Sequence, residues 1–245
     1  MKRIAIIQSS YIPWKGYFAI IGLADEFILY DDAQYTKSDW RNRNIIKTES
    51  GPMWLTIPVM RRRLQPIRDT LIADPKWALH HWRSLQMNYA RARHFVTLGP
   101  RIKELYDQAA KETHLSAVNE LFLRGLCDLL GIETPIKRSS DYELRGDRSE
   151  RLICMCQQAG AGEYLSGPKA RAYLDERKFA LSGIDIKWMD YSGFREYEQL
   201  FAAPFLHQVT VLDLLLNLGI EEARSYMRSA LASRDPAAST RVSSL

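Results

Sequence analysis

The sequence predicts an α/β protein: a mostly parallel, Rossmann-like sheet in the N-terminal part, a helix-rich middle and an α/β C-terminal part. Three observations carry that prediction. The β-branched run RIAIIQ, residues 3–8, is followed by the Pro- and Gly-broken loop SSYIPWKG. The helical YFAIIGLA and the strand-like EFILYD then complete a β-loop-α-β unit within about thirty residues, the spacing of a parallel sheet. Later, helical patterns alternate with the short strand-like runs TPIKRSS, EYLSG and IDIKWMDY.

Taken in order, MWLTIPV and IRDTLIA read as strands joined by the basic turn MRRRLQP. DPKWALHHWRSLQMNYARA reads as a helix with Asp74 as N-cap and Pro75 at the first helical position. RIKELYDQAAKE and SAVNELFLRGLCDLLG are further helices, the second stopped by Gly131. DRSERLICMCQQAG is a helix entered through Asp147, and PKARAYLDERKFALSG is mainly helical. VTVLDLLLNLG and EEARSYMRSALASR are two late helices. Residues 1–234 read as one α/β domain, with a helical subdomain at about 75–131 as an open alternative. Residues 235–245 form a small, polar, flexible tail.

The 245 residues are 46% hydrophobic and 26% charged, which excludes general disorder. The net charge of +5 favours anionic partners only weakly. Without an arginine-rich tail or zinc-finger spacing, nucleic acid is not expected. Cys127, Cys154 and Cys156 are an odd set on apolar helices, read as inert buried thiols of a reducing compartment. The IAII run is too short for a signal-peptide core, and no stretch approaches the roughly 20 apolar residues of a membrane span. A cytoplasmic protein without cofactor or metal is the expectation.

The chemistry concentrates in YDDAQYTKSDWRNRN, residues 30–44. Asp31 and Asp32 stand at the end of the second strand, where ligands of open α/β sheets gather. Such a carboxylate can serve as base, hold an ammonium or bind a hard cation. Strand alternation would send the two to opposite sides, leaving at most one for a given cleft. Gln34, Asn42 and Asn44 offer paired donors and acceptors for hydroxyls or amides. Lys37, Arg41 and Arg43 suit phosphate or an oxyanion, and Tyr35 and Trp40 offer flat faces. The plain alternative is a loop tied down by its own bonds.

QSSYIPWKGYF should lie beside it. Gln8 and Tyr11 would face substrate there, and Gly16, Tyr17 and Phe18 could offer N–H groups to an anion. The alternative is a connector with Tyr11 and Trp14 packed beneath. No G-x-G-x-x-G or Walker loop is present. Helical spacing puts Trp77, His81, Leu85 and Asn88 on one face, with His80 and Tyr89 falling away. His81 is therefore either a base or a satisfied core histidine. Tyr164, Ser166 and Gly167 precede a helix begun by Pro168, which is either an N-terminal anion site with Lys169 and Arg171 nearby or a corner where Ser166 is simply the N-cap. Asp213 and Asn217, four apart on an apolar helix, order the site or cap a neighbouring loop.

Together these pieces resemble the WbqC-like family. The resemblance rests on the Gln8-to-Phe18 loop, DDAQYTKSDWRNRN, WLTIPV, WALHHWRSLQMNY, ERLICMCQQAGAGEYLSGPKARAYL and FAAPFLHQVTVLDLLLNLG, in that order. Ser9 departs from the family's usual proline, and Val209-Thr210 from a serine-containing turn. The resemblance implies a transferase from O-antigen and related polysaccharide clusters that places glycine or another aminoacyl group on an amino sugar. The leading reading is thus acyl or aminoacyl transfer to the amine of a nucleotide-linked sugar, from a coenzyme A or carrier-protein thioester. Asp31, Asp32 or His81 would be the base; Lys37, Arg43 or the Gly16 backbone would meet the oxyanion. Alternatives are a nucleotide-dependent ligase or nucleotidyltransferase, and a non-catalytic sugar- or carrier-binding module.

Overall fold

The central strands are buried on both faces, which is why they read as continuous apolar runs. The computed structural model describes residues 1–201 and 203–232; the predicted tail at 235–245 lies outside the described residues. The chain begins with β1 (Arg3–Ile7), α1 (Lys15–Leu23) and β2 (Glu26–Leu29). A hairpin of β3 (Arg43–Thr48) and β4 (Gly51–Thr56) follows, then the short pair β5 (Val59–Met60) and β6 (Leu71–Ile72). Three helices come next: α2 (Trp77–Tyr89), α3 (Phe95–Ala109) and α4 (Leu115–Leu130). The rest is β7 (Ile136–Arg138), α5 (Arg148–Gln158), β8 (Glu163–Ser166), α6 (Glu176–Leu181), β9 (Asp185–Trp188) and α7 (Val211–Ala232).

Five strands form one parallel sheet in the order β7-β2-β1-β8-β9. The chain builds outward from β1 through β2 to β7, then returns to add β8 and β9 on the other side. This is the doubly wound, Rossmann-like arrangement, with its carboxyl edge available for ligands. Alternate residues feed two cores. Ala5, Phe27, Leu29 and Leu165 pack with α1, α4 and α7; Ile4, Ile6, Ile28 and Tyr164 pack with α5 and α6.

Several local expectations change. The hairpin strand β3 was not foreseen, because its RN start closes the polar stretch at residues 30–44. IRDTLIA is a 3₁₀ turn, Ile67–Asp69, before the two-residue β6. The turn is set by contacts with the 30–44 stretch: Ile67 N–H donates to Ala33 O (2.9 Å) and Arg68 N–H to Asp31 O (3.0 Å). Asp74 holds the turn before α2 instead of capping it, accepting Lys76 N–H at 2.8 Å, and Lys76 takes the cap position. Helix α3 starts six residues before Arg101, at Phe95, and carries Pro100 inside. The hydrogen bond lost there is the one to Val96 O, whose residue is exposed to water. Cys127 and Cys156 are buried as expected, whereas Cys154 is half-buried. The helix stop at Gly131 (φ 67°) and the Asp147 cap, reciprocated by Glu150, stand as read. Gly219 (φ 79°, ψ 175°) breaks α7 where the two late helices meet. Among the described residues no helix is long and apolar enough to cross a membrane.

Candidate functional site

The stretch after β2 and the loop after β1 do lie together. Their polar side chains are spent mostly on each other. Asn44 Nδ2 donates to Tyr11 O and Ile12 O, both at 3.0 Å, which secures the loop where Ile12 adopts φ 35°. Arg41 donates to Gln8 O (2.7 Å) and Ser9 O (2.9 Å), and Tyr17 Oη donates to Gln8 O (3.0 Å). Asn42 Nδ2 donates to Ile57 O (2.8 Å). Asn119 on α4 adds a clamp, donating to Ser9 Oγ (3.0 Å) and Arg41 O (2.9 Å).

These bonds and the packing around them occupy most of the groups expected to face a ligand. Tyr11 has no open face: it is fully buried, edge-on to Trp77 and Phe122. Tyr17, Asn42 and Asn44 are buried and bonded to the chain itself. Gly16 presents no open anion site, because the Trp14 ring lies 2.2–2.6 Å from where its Cβ would stand. Arg43 donates to Ser38 O and sits 4.1 Å from the Trp54 ring centroid, on the hairpin. Tyr35 is buried beside the 61–66 loop, its N–H on Gln65 O at 2.9 Å. Gln34 and Lys37 are exposed, and half-buried Trp40 leans on Trp54 with ring centroids 5.2 Å apart.

His81 sits at the floor of a groove of about 320 Å³ between β4 and α2. It is buried, and both ring nitrogens are engaged. Nε2 lies 3.2 Å from Thr56 O and Nδ1 2.9 Å from Tyr11 Oη. A carbonyl only accepts, so Nε2 carries the proton and Tyr11 donates to Nδ1. Burial pushes the His81 pKa down to about 4, so the ring is neutral at pH 7. Tyr89, expected to fall away from this face, is fully buried and donates to Asp213 (2.8 Å).

Tyr164 is buried under α6, stacked on Phe179. Ser166 ends β8 and caps nothing; Gly167 takes the cap position of a five-residue 3₁₀ turn, Pro168–Ala172. Asp213 is fully buried and also accepts from Tyr197 (2.6 Å) and Gln199 (2.9 Å). Asn217 donates to Asp213 O at 2.8 Å. Lys47 Nζ meets Gln199, Phe201 and Pro204. This group fastens the long segment between β9 and α7 rather than facing a ligand.

A second cavity, of about 300 Å³, lies at the carboxyl ends of β2 and β7. Asp31 and Asp32 both line it. The expectation of opposite faces fails because β2 stops at Leu29, and the two aspartates lie in a turn where alternation no longer applies. Asp31 is the inner one. It accepts Ser9 N–H at 2.8 Å, and burial raises its pKa against the opposing pull of Ser9 and Arg41. Asp32 is bonded to Arg68 from the 3₁₀ turn and to Ser139 Oγ beyond β7. Opposite, Glu120 of α4 pairs with Arg138 (2.8 Å) and Arg124 (2.8 Å). Ser116 and Ala117, in the uncapped first turn of α4, complete the wall. Sequence reading missed Arg68, Glu120, Arg138 and Ser139. Glu120 and Arg124, four apart on a helix, were the one local signal.

A parallel α/β sheet with a charge-paired cavity at its carboxyl edge is thus the class that fold and site define. The chain belongs to the WbqC-like protein family, whose profile matches residues 8–225. It is similar to an uncharacterized protein of Mycobacterium tuberculosis, 50% identical over 230 residues, which is 93% of this chain and 98% of the relative. No solved structure matches it.

Proposed function

We propose that the chain transfers an acyl or aminoacyl group to an amine in the cavity between β2, β7 and α4. The observation that supports this best is the shared position of Asp31 and Asp32 at the carboxyl edge of the sheet. The donor is a thioester on coenzyme A or a carrier protein, and the acceptor a nucleotide-linked amino sugar or similar amine. The acceptor nitrogen attacks the thioester carbonyl. The N–C bond forms, the C–S bond breaks, and the thiolate leaves. Asp32 takes the amine proton, since its partner Arg68 is exposed at the rim and buried Ser139 fixes its other oxygen, while Asp31 holds the loop after β1 in place. The N–H groups of Ser116 and Ala117, in the first turn of α4 where no intrahelical acceptor is available, receive the oxyanion. Direct attack needs no protein nucleophile. An acidic carrier would dock on the exposed Arg61, Arg62 and Arg63, with binding that weakens as salt rises.

The test is incubation with thioester donors and a nucleotide-linked amino sugar, read by mass spectrometry. The expected result is a mass gain on the amine. Saturable sugar binding without a mass gain from any donor would replace this reading with a binding module.

A further inference from the structure

The cavity at β2 and β7 is lined by three carboxylates, Asp31, Asp32 and Glu120, and by two guanidinium groups, Arg68 and Arg138. Asp32 has one oxygen on Arg68 and the other on Ser139. Glu120 has one oxygen on Arg124 and the other on Arg138. Asp32 and Glu120 are thus engaged at both oxygens, and Asp31 accepts Ser9 N–H at Oδ1. The guanidinium groups are not used up. Arg138 spends Nε on Glu120; Arg68 spends Nη1 on Asp32 and has Nε 3.7 Å from Asp69 Oδ1, which leaves Nη2 and further N–H groups open. A guanidinium carries five N–H donors in a planar fork. In both pairs the arginine is also the outer partner. Side-chain exposure is 64% for Arg138 against 12% for Glu120, and 49% for Arg68 against 13% for Asp32. A ligand heading for Asp32 or Glu120 therefore meets two guanidinium forks first, with exposed Asp69 flanking the Arg68 fork.

We infer that Arg68 and Arg138 form a phosphate-binding subsite at the mouth of this cavity. Its ligand is a phosphate or diphosphate ester whose other end reaches the aspartates. Planar forks suit phosphate oxygens in a bidentate way. Lys37, Arg41 and Arg43, the basic residues that first suggested phosphate, lie outside the cavity lining. The subsite also supplies a gate. A phosphate that draws Arg68 toward itself uncovers Asp32, so the carboxylate is freed when the anion is in place. The inference rests on the transfer reading only for the role of the ligand, and its test needs no turnover.

The experiment is calorimetric titration of the full chain with inorganic pyrophosphate and, separately, acetate at low salt. Wild type is compared with Arg138→Gln, Arg68→Gln and the surface control Lys103→Gln. Pyrophosphate should bind saturably, at least about tenfold more tightly than acetate. Each arginine variant should weaken it by about tenfold or more, as expected for losing a charge-assisted bond, while Lys103→Gln leaves it unchanged. Unchanged melting temperatures would show that the arginine variants fold. Should either fail to fold, the matching lysine variant, which keeps the charge but loses the fork, should still weaken pyrophosphate. No pyrophosphate binding, equal binding of acetate, or equal weakening by Lys103→Gln would overturn the subsite. Transfer to an amine by a chain that does not bind pyrophosphate would overturn this inference and leave the transfer reading standing. Pyrophosphate binding without transfer would do the reverse.

Discussion

His81 and Asp32 show how two residues singled out for the same chemistry diverge. His81 has its ring in a buried chain with Tyr11 and Tyr106, and burial lowers its pKa to about 4. Its folded value lies below the ordinary 6.5, so the unfolded chain takes up the proton first. Stability is then fully present above about pH 6.5 and is lost as pH falls toward 4, by about 3 kcal/mol if the whole difference is expressed. Urea unfolding of wild type and His81→Gln across that window should show a slope in the first that is reduced in the second. Parallel curves would refute the assignment. Asp32 was legible as a candidate, but its partners were not. Arg68 and Ser139 stand 36 and 107 positions away, and periodicity carries no information about pairings at such separations.

At the scale of elements, strands buried on both faces and capped helices were readable because their signals are local. The Asp147–Glu150 cap and the Gly131 stop are of this kind. Gly131 has φ 67°, and Gly131→Ala should cost about 1–2 kcal/mol in chemical unfolding. No loss would mean that α4 ends differently. The segment between β9 and α7 was unreadable, since nothing local ties Lys47 to Gln199 or Tyr89 to Asp213. Asp213→Ala strands three donors, from Tyr89, Tyr197 and Gln199, and should destabilise by about 3 kcal/mol or more. It should also open the segment at 190–206 to limited proteolysis. A variant as stable and as resistant as wild type would contradict the fastening role.

For the whole molecule, the parallel sheet sends the loops after β1, β2 and β7 to one edge, and the family relation spans residues 8–225, nearly the entire arrangement. The polar richness of residues 30–44 proved mostly architectural, with Arg41, Asn42 and Asn44 building the wall and the aspartates left at the cavity. The central claim is that the chemistry occurs at Asp32 and not in the His81 groove. The most direct measurement is kcat/KM for amine acylation in Asp32→Asn and His81→Gln, at pH 7.5 where both should be folded. The account predicts a loss of about 10²-fold or more in Asp32→Asn, the range of general-base catalysis, and less than about tenfold in His81→Gln. The opposite ranking would place the site in the groove between β4 and α2 and contradict the account.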